Sequence, residues 1–287
     1  MQLPTRLLQR KLNSHKADFG HVLILAGSLK FSGAALLAGE ACLRSGAGLV
    51  TLGMPKSLCL AVLKIKAKEI MLLPLAETKD KTLDISAFKE IKDFMKKAQV
   101  LAIGPGLSDD KSTQSLARKV ISEISKPMVI DADGLNALAG HLSILLKRKG
   151  IGLPTILTPH PGEMSRLSGI SAAKVQAARK KVAKELANDY NCVIVLKGHR
   201  TVVAGPKVKT YENTTGNPGM ASAGSGDVLT GMIAAFLGQN LNAFEATKYA
   251  VYLHGLAGDL AGKEKTQISL IASDIIAKIP AAIRKCS

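Results

Sequence analysis

Short runs of Val, Ile and Leu alternate with longer stretches of helical period along most of the chain, the pattern of a parallel sheet covered by helices. Strands are expected at 21–25, 49–53, 100–103, 128–131, 155–157 and 193–196. Each is apolar almost throughout instead of alternating, which suits strands buried on both faces. Between the last two, residues 171–188 carry Val175, Ala178, Val182 and Leu186 at spacings of three and four, with Lys and Arg on the other face, and read as one amphipathic helix. Residues 201–204 and 208–211 flank Gly205, Pro206 and Lys207 and read as an antiparallel hairpin attached to the parallel sheet. The chain after it is helical. No Pro/Ser-rich linker, repeat or low-complexity tract divides the sequence, so one α/β domain is expected over 15–287, preceded by a basic extension at 1–14. The Leu spacing of that extension suits an appended helix that packs on the domain or mediates oligomer contacts.

Composition narrows the function classes. With 287 residues and 47% hydrophobic content the chain can bury a sizeable core, and disorder is excluded as its main state. The longest apolar runs, 22–26 and 232–237, are far below the roughly 18 residues of a membrane span. The N-terminus lacks an apolar stretch followed by a small-residue cleavage site, so a cytoplasmic protein without membrane association is expected. Cys42, Cys59, Cys192 and Cys286 are too scattered for a zinc site or a redox dithiol. A formal charge of +17 calls for an anionic partner. Six Phe, four Tyr and no Trp offer few stacking platforms, and the basic residues form no block, so a nucleotide-sized anion is favoured over nucleic acid.

Familiar nucleotide and hydrolase motifs are missing: there is no GxxxxGK[ST], no GxGxxG after a strand, no GxSxG and no HExxH. The densest run of small residues is NTTGNPGMASAGSGDVLTGMIAAFLG, 213–238, a glycine-rich loop feeding an apolar helix. Gly224, Ser225 and Gly226 let backbone amides converge on an anion at a helix N-terminus, where a phosphoryl group would fit. Asp227 then stands where it could take a proton from an attacking hydroxyl. The competing reading makes Asp227 a helix cap and the glycines packing residues.

The same stretch closely resembles the signature of the NAD(P)H-hydrate dehydratases, nucleotide-dependent repair enzymes of the ribokinase-like superfamily. Further matches follow in the family's order: AGSLKFSGAALLAGEACLRSGAGLV near the start, GPGLS at 104, DADGLNAL at 131, LTPHPGEMSRL at 157 and VLKGHRTVVAGP at 195. The resemblance implies a three-layer ribokinase-like fold with a central, mostly parallel sheet. It implies that Ala35, Gly106, His160 and Asp227 line the site for hydrated NADH or NADPH. Lys197, Gly198, His199, Arg200, Thr201 and Gly226 would hold the adenine nucleotide, ADP or ATP with a lean to ADP. Lys197 and Arg200 would supply charge to its phosphates; their alternative is solvated surface charge. Asp227 would be the base, and the amides of Gly224, Ser225 and Gly226 would stabilise the transferring phosphoryl group.

Asp131, Asp133 and Asn136 are either pocket groups or turn and cap residues. Glu163 lies three residues after His160, the spacing at which many ribokinase-like sugar kinases carry Asn and Glu near magnesium. His in the Asn position fits the dehydratase pattern, and magnesium would arrive with the nucleotide. The resemblance further implies a homotetramer and a separate NAD(P)H-hydrate epimerase as functional partner. The rival readings are a ribokinase-like kinase for a vitamin precursor and a basic nucleic-acid-binding module.

Overall fold

The computed structural model describes residues 1–287. Nine strands form one sheet: β1 (His21–Leu25), β2 (Leu49–Pro55), β3 (Met71–Leu75), β4 (Val100–Ile103), β5 (Met128–Ile130), β6 (Thr155–Leu157), β7 (Val193–Leu196), β8 (Val202–Ala204) and β9 (Tyr211–Glu212). Their order is β3-β2-β1-β4-β5-β6-β7-β8-β9, parallel through β7 and antiparallel for the last two pairs. Thirteen helices enclose it. In chain order they are α1 (Thr5–Leu8), α2 (Ser32–Arg44), α3 (Lys56–Val62), α4 (Phe88–Phe94), α5 (Lys111–Glu123), α6 (Ala132–Leu138) and α7 (Ser143–Gly150). There follow α8 (Pro161–Ser168), α9 (Ala172–Ala177), α10 (Arg179–Tyr190), α11 (Ser225–Gly238), α12 (Ala243–Lys265) and α13 (Ala272–Arg284).

The continuous apolar strands follow from burial on both faces. Val22 and Ile24 of β1 join a core of 45 residues with α2, α3, α11, α12 and α13. Leu23 and Leu25 join a separate core of 36 residues with the helices from α4 to α10. No face of the central strands meets water, so none selects polar residues.

Four local expectations change in three dimensions. β3 escapes a reading by pattern because Pro74 interrupts it; as the outermost strand it can spare the missing N–H. The helix expected over 171–188 is two, broken at Ala178 (φ −130°, ψ 37°). The break turns Arg179 toward the end of β7, where its guanidinium donates to the carbonyls of Leu196 (2.8 Å) and Lys197 (3.2 Å). In the hairpin, Val203 pairs with Tyr211 and Val202 with Glu212, so the second strand begins three residues later than expected. That register puts Tyr211 against the core and leaves Val208 exposed. The basic extension forms only the four-residue α1. It packs on the domain: Leu3 is buried, its amide donates to the Cys286 carbonyl (3.0 Å), and Arg10 donates to the Gly46 carbonyl (2.9 Å).

The tightest helix contact aims the glycine turn. Gly231 in α11 faces α2 so closely that an added Cβ would sit 2.1 Å from the Ala38 carbonyl oxygen. Gly231→Ala should therefore push the two helices apart and lower stability by about 3 kcal/mol, the upper end for overpacking. Urea unfolding checks this; a wild-type midpoint would show that α11 is not seated by this contact.

Candidate active site

Loops at the C-terminal ends of the parallel strands gather the chemistry. Connections run in opposite directions from β1 and β4, so a crevice opens between them, as at the switch point of other open α/β sheets. The turns after these strands touch: the amide of Gly27 donates to the Pro105 carbonyl (2.8 Å). A Cβ on Gly106 (φ +62°) would lie 2.7 Å from Phe31 Cβ. Ala35 is fully buried in the first turn of α2 beside Gly27. The FSGAA and GPG turns thus form one wall, made of small residues because backbone meets backbone there.

His160 opens α8 as its N-cap. Its Nδ1 accepts from the Gly162 amide (3.0 Å), while Glu163 accepts from the His160 amide (2.7 Å). This reciprocal capping leaves the half-exposed imidazole edge at the crevice and turns Glu163 inward, where it is buried.

Asp131, between β5 and α6, is 1% exposed. Its Oδ1 pairs with Lys197 Nζ at 2.7 Å, and its Oδ2 accepts from Thr230 Oγ1 of α11 at 2.7 Å. Glu163 lies 3.8 Å from the same ammonium. Burial opposes the charge on Asp131, but Lys197 and the hydroxyl donors outweigh it and hold its carboxyl below the usual range. Burial likewise opposes the charge on Lys197, yet Asp131, Glu163 and Asp227 keep the ammonium above its ordinary value. Lys197 is therefore neither solvated surface charge nor aimed outward; it sits under α11, 3.4 Å from where a Gly226 Cβ would be.

Gly224 (φ +87°) makes the left-handed step into α11, and a Cβ there would strike Leu37 Cδ1 at 2.4 Å. The first amides of α11 have no carbonyl partner within the helix and carry its positive dipole end. Asp227 stands in that first turn. Burial, with the like charges of Asp131 and Asp133 and against the pull of Lys197, pushes its carboxyl up to about 7. A carboxyl titrating there can take up a proton near neutral pH, and the free amides beside it can cradle an anion. Behind the cradle, His254 Nε2 of α12 lies 3.4 Å from Ser225 Oγ, and burial holds the imidazole down at about 4, hence neutral.

The β7–β8 turn forms a second, outer group. Gly198 (φ +129°) rests on the Arg179 guanidinium, and Thr201 Oγ1 donates to the Gly198 carbonyl (3.0 Å). His199 and Arg200 are exposed, on a cleft of about 480 Å³ shared with α9 and α10. Arg200 pairs with Glu212 at 3.2 Å, and Lys180 pairs with the same carboxylate. The structure thus brings Ala35, Gly106, His160, Lys197 and 224–227 around one crevice and leaves Arg200 on a carboxylate at its outer side. Asp133 accepts from the Ser108 amide (2.8 Å) and from Asn136 Nδ2 (3.1 Å), and Asn136 accepts from Arg166 Nε (3.0 Å), so these residues tie loops together. Sequence reasoning left Asp131 undecided and missed Thr230 and His254. A lone His in the apolar run VYLHGLAG was the available signal for the last. No group of three or more His, Cys, Asp or Glu side chains could cage a metal.

Comparison with known proteins shows the family. The profile of the NAD(P)H-hydrate dehydratase family matches residues 22–281. The bifunctional NAD(P)H-hydrate repair enzyme Nnr of Moorella thermoacetica is 43% identical over 280 residues, 98% of this chain and 52% of that protein. The chain spans about half the length of such bifunctional relatives. The ADP-dependent (S)-NAD(P)H-hydrate dehydratase of Bacillus subtilis is 37% identical, covering 95% of this chain and 93% of that one. The solved structure of an ADP/ATP-dependent NAD(P)H-hydrate dehydratase from Bacillus subtilis, co-crystallised with ATP and Mg2+, superposes with a TM-score of 0.80 at 33% identity, over 97% of this chain and 94% of that one. With its ribokinase-like three-layer fold and its glycine turn over a buried carboxylate, this chain belongs to the NAD(P)H-hydrate dehydratase family.

Proposed function

We propose that the chain dehydrates the S epimer of hydrated NADH or NADPH at the expense of an adenine nucleotide, converting ADP to AMP, or ATP to ADP, and phosphate. The observation that carries this reading is Asp227, a partly buried carboxyl pushed up to about 7 in the first turn of α11, next to the glycine turn at 224–226. Hydroxide is a poor leaving group, so the ring hydroxyl is first made into a phosphate ester. Asp227 takes the hydroxyl proton as the oxygen attacks the terminal phosphorus, and the amides of 224–226 hold the charge on the transferring group. Departure of phosphate, with loss of a proton from the adjacent ring carbon, restores the reduced nicotinamide.

Ala35 and Gly106 provide a flat backbone wall for the hydrated ring, and the exposed edge of His160 supplies a polar contact. Residues 197–201 hold the nucleotide, with ADP the preferred donor. Magnesium has no cage of protein carboxylates here and belongs to the nucleotide's own phosphates. No helix is long and apolar enough to cross a membrane. We expect a homotetramer, and exposed Leu60, Leu63 and Ile65 near the sheet edge offer an apolar surface for contact with another copy. An NAD(P)H-hydrate epimerase is the expected partner activity, supported by the bifunctional description of relatives of which the chain spans about half.

The reading is tested by supplying hydrated NADH and hydrated NADPH with ADP and ATP in parallel and following the absorbance of the reduced cofactor. Absorbance should recover; a stable phosphate ester without recovery would make the protein a kinase. Asp227→Ala should keep the fold and nucleotide binding and lose about 10²–10⁴ in kcat.

Because the base must be ionised, kcat/KM should rise with pH through about 7. Stability runs the other way. The folded state holds this proton from the ordinary value of 3.8 up to about 7 and the unfolded state does not, so the contribution is full below 3.8 and lost as pH climbs to 7. Asp227→Asn should accordingly be more stable than wild type at pH 8, with the gain shrinking toward pH 4. Equal denaturation midpoints across that range would refute the raised titration.

A further inference from the structure

Asp131, the carboxylate of the ion pair beneath α11, has a use that the reaction outlined above does not assign. Lys197 ends β7, Asp131 follows β5, and Thr230 lies one turn into α11, so three hydrogen-bonding groups from distant parts of the chain lock two strand ends to one helix. An ammonium under a helix N-terminus is repelled by the dipole and needs an acceptor to keep it there. Asp131 supplies one. Its two oxygens are committed to Lys197 and Thr230, and its backbone is fixed by the bond from its amide to the Ile103 carbonyl (3.0 Å). The charge of Lys197 is thereby held under the first turn of α11, where a Cβ on Gly226 would lie 3.4 Å from its Nζ, and it bears on Asp227 of the same turn.

Resting on the proposed dehydration, we propose that Asp131 and Lys197 are the positioning pair of the transfer site, the carboxylate fixing one cation under the first turn of α11 so that it serves both the incoming phosphoryl group and the proton acceptor Asp227. Neither residue need exchange a proton. The charges that bear on Asp227 are Asp131 and Asp133 at α6 and Lys197 after β7. Glu163 of α8 acts on Lys197, and His254 of α12 is neutral. None comes from α2, β1, β4 or α13.

Asp131→Asn keeps the shape and the Thr230 contact but removes the negative charge, so Asp227 is left with a cation as its dominant neighbour. Its titration should fall by about 1 pH unit or more, the effect of losing a close like charge. The shift is read in the acidic limb of kcat/KM with one nucleotide, and, without any substrate, in the 13C signal of the Asp227 carboxyl. Thr230→Val, which removes a hydrogen bond but no charge, should lower stability and leave that midpoint in place. If Asp131→Asn lowers stability alone, or moves the midpoint upward, the pair is scaffolding and the proposal fails. Should the single variant not fold, Asp131→Asn with Lys197→Gln replaces the pair by a neutral hydrogen bond. The nucleotide KM should then rise at least tenfold, and an unchanged KM overturns the shared-cation role. Wild-type protein inactive on both hydrated cofactors would instead remove the dehydratase reading, while the substrate-free titration would still judge the pair.

Discussion

Burying an aspartate at the end of β5 is the constraint on which the site depends. A carboxylate excluded from water must be paired and hydrogen-bonded or give up its charge. Asp131 is satisfied by Lys197 from the end of β7 and Thr230 from α11, and each of those partners fixes an element that carries chemistry. The β7–β8 turn follows Lys197 directly, and Asp227 lies three residues before Thr230. The crevice is therefore assembled by electrostatic necessity around one buried charge.

The contrast with Asp227 shows how the same fold keeps two carboxyls in opposite states. Asp131 has an ammonium at 2.7 Å and titrates low. Asp227 is also shielded from water, but it shares that ammonium only at second hand and meets two other carboxylates, so its carboxyl is driven up. Two neighbouring acids are thereby held with well-separated titrations, one low and one near 7. Small residues make the arrangement possible: Gly224 supplies the left-handed step, Gly226 leaves room above Lys197, and Gly231 lets α11 lie against α2.

Much of the fold was legible in the residues. The six central strands were recognisable because burial on both faces leaves no polar position to blur an apolar run. Edge elements were not. β3 carries Pro74, which is compatible with a strand only at the rim of a sheet. The break at Ala178 has no Gly or Pro to announce it, because it is imposed by Arg179 reaching two carbonyls of a neighbouring strand end.

For the site, the glycine turn and Asp227 stand out along the chain because a turn that presses against its neighbours and exposes its amides needs contiguous small residues. What the sequence by itself determined, then, is the class of fold, the family, and the local motifs whose chemistry is written in adjacent residues. The tertiary structure decided which charges meet: that Lys197 turns inward to Asp131, that Arg200 turns outward to Glu212, and that His254 backs Ser225. Those choices depend on distances between residues up to 66 positions apart. A pairing energy of that kind is a property of folded geometry and solvent exclusion, and no stretch of sequence holds either one.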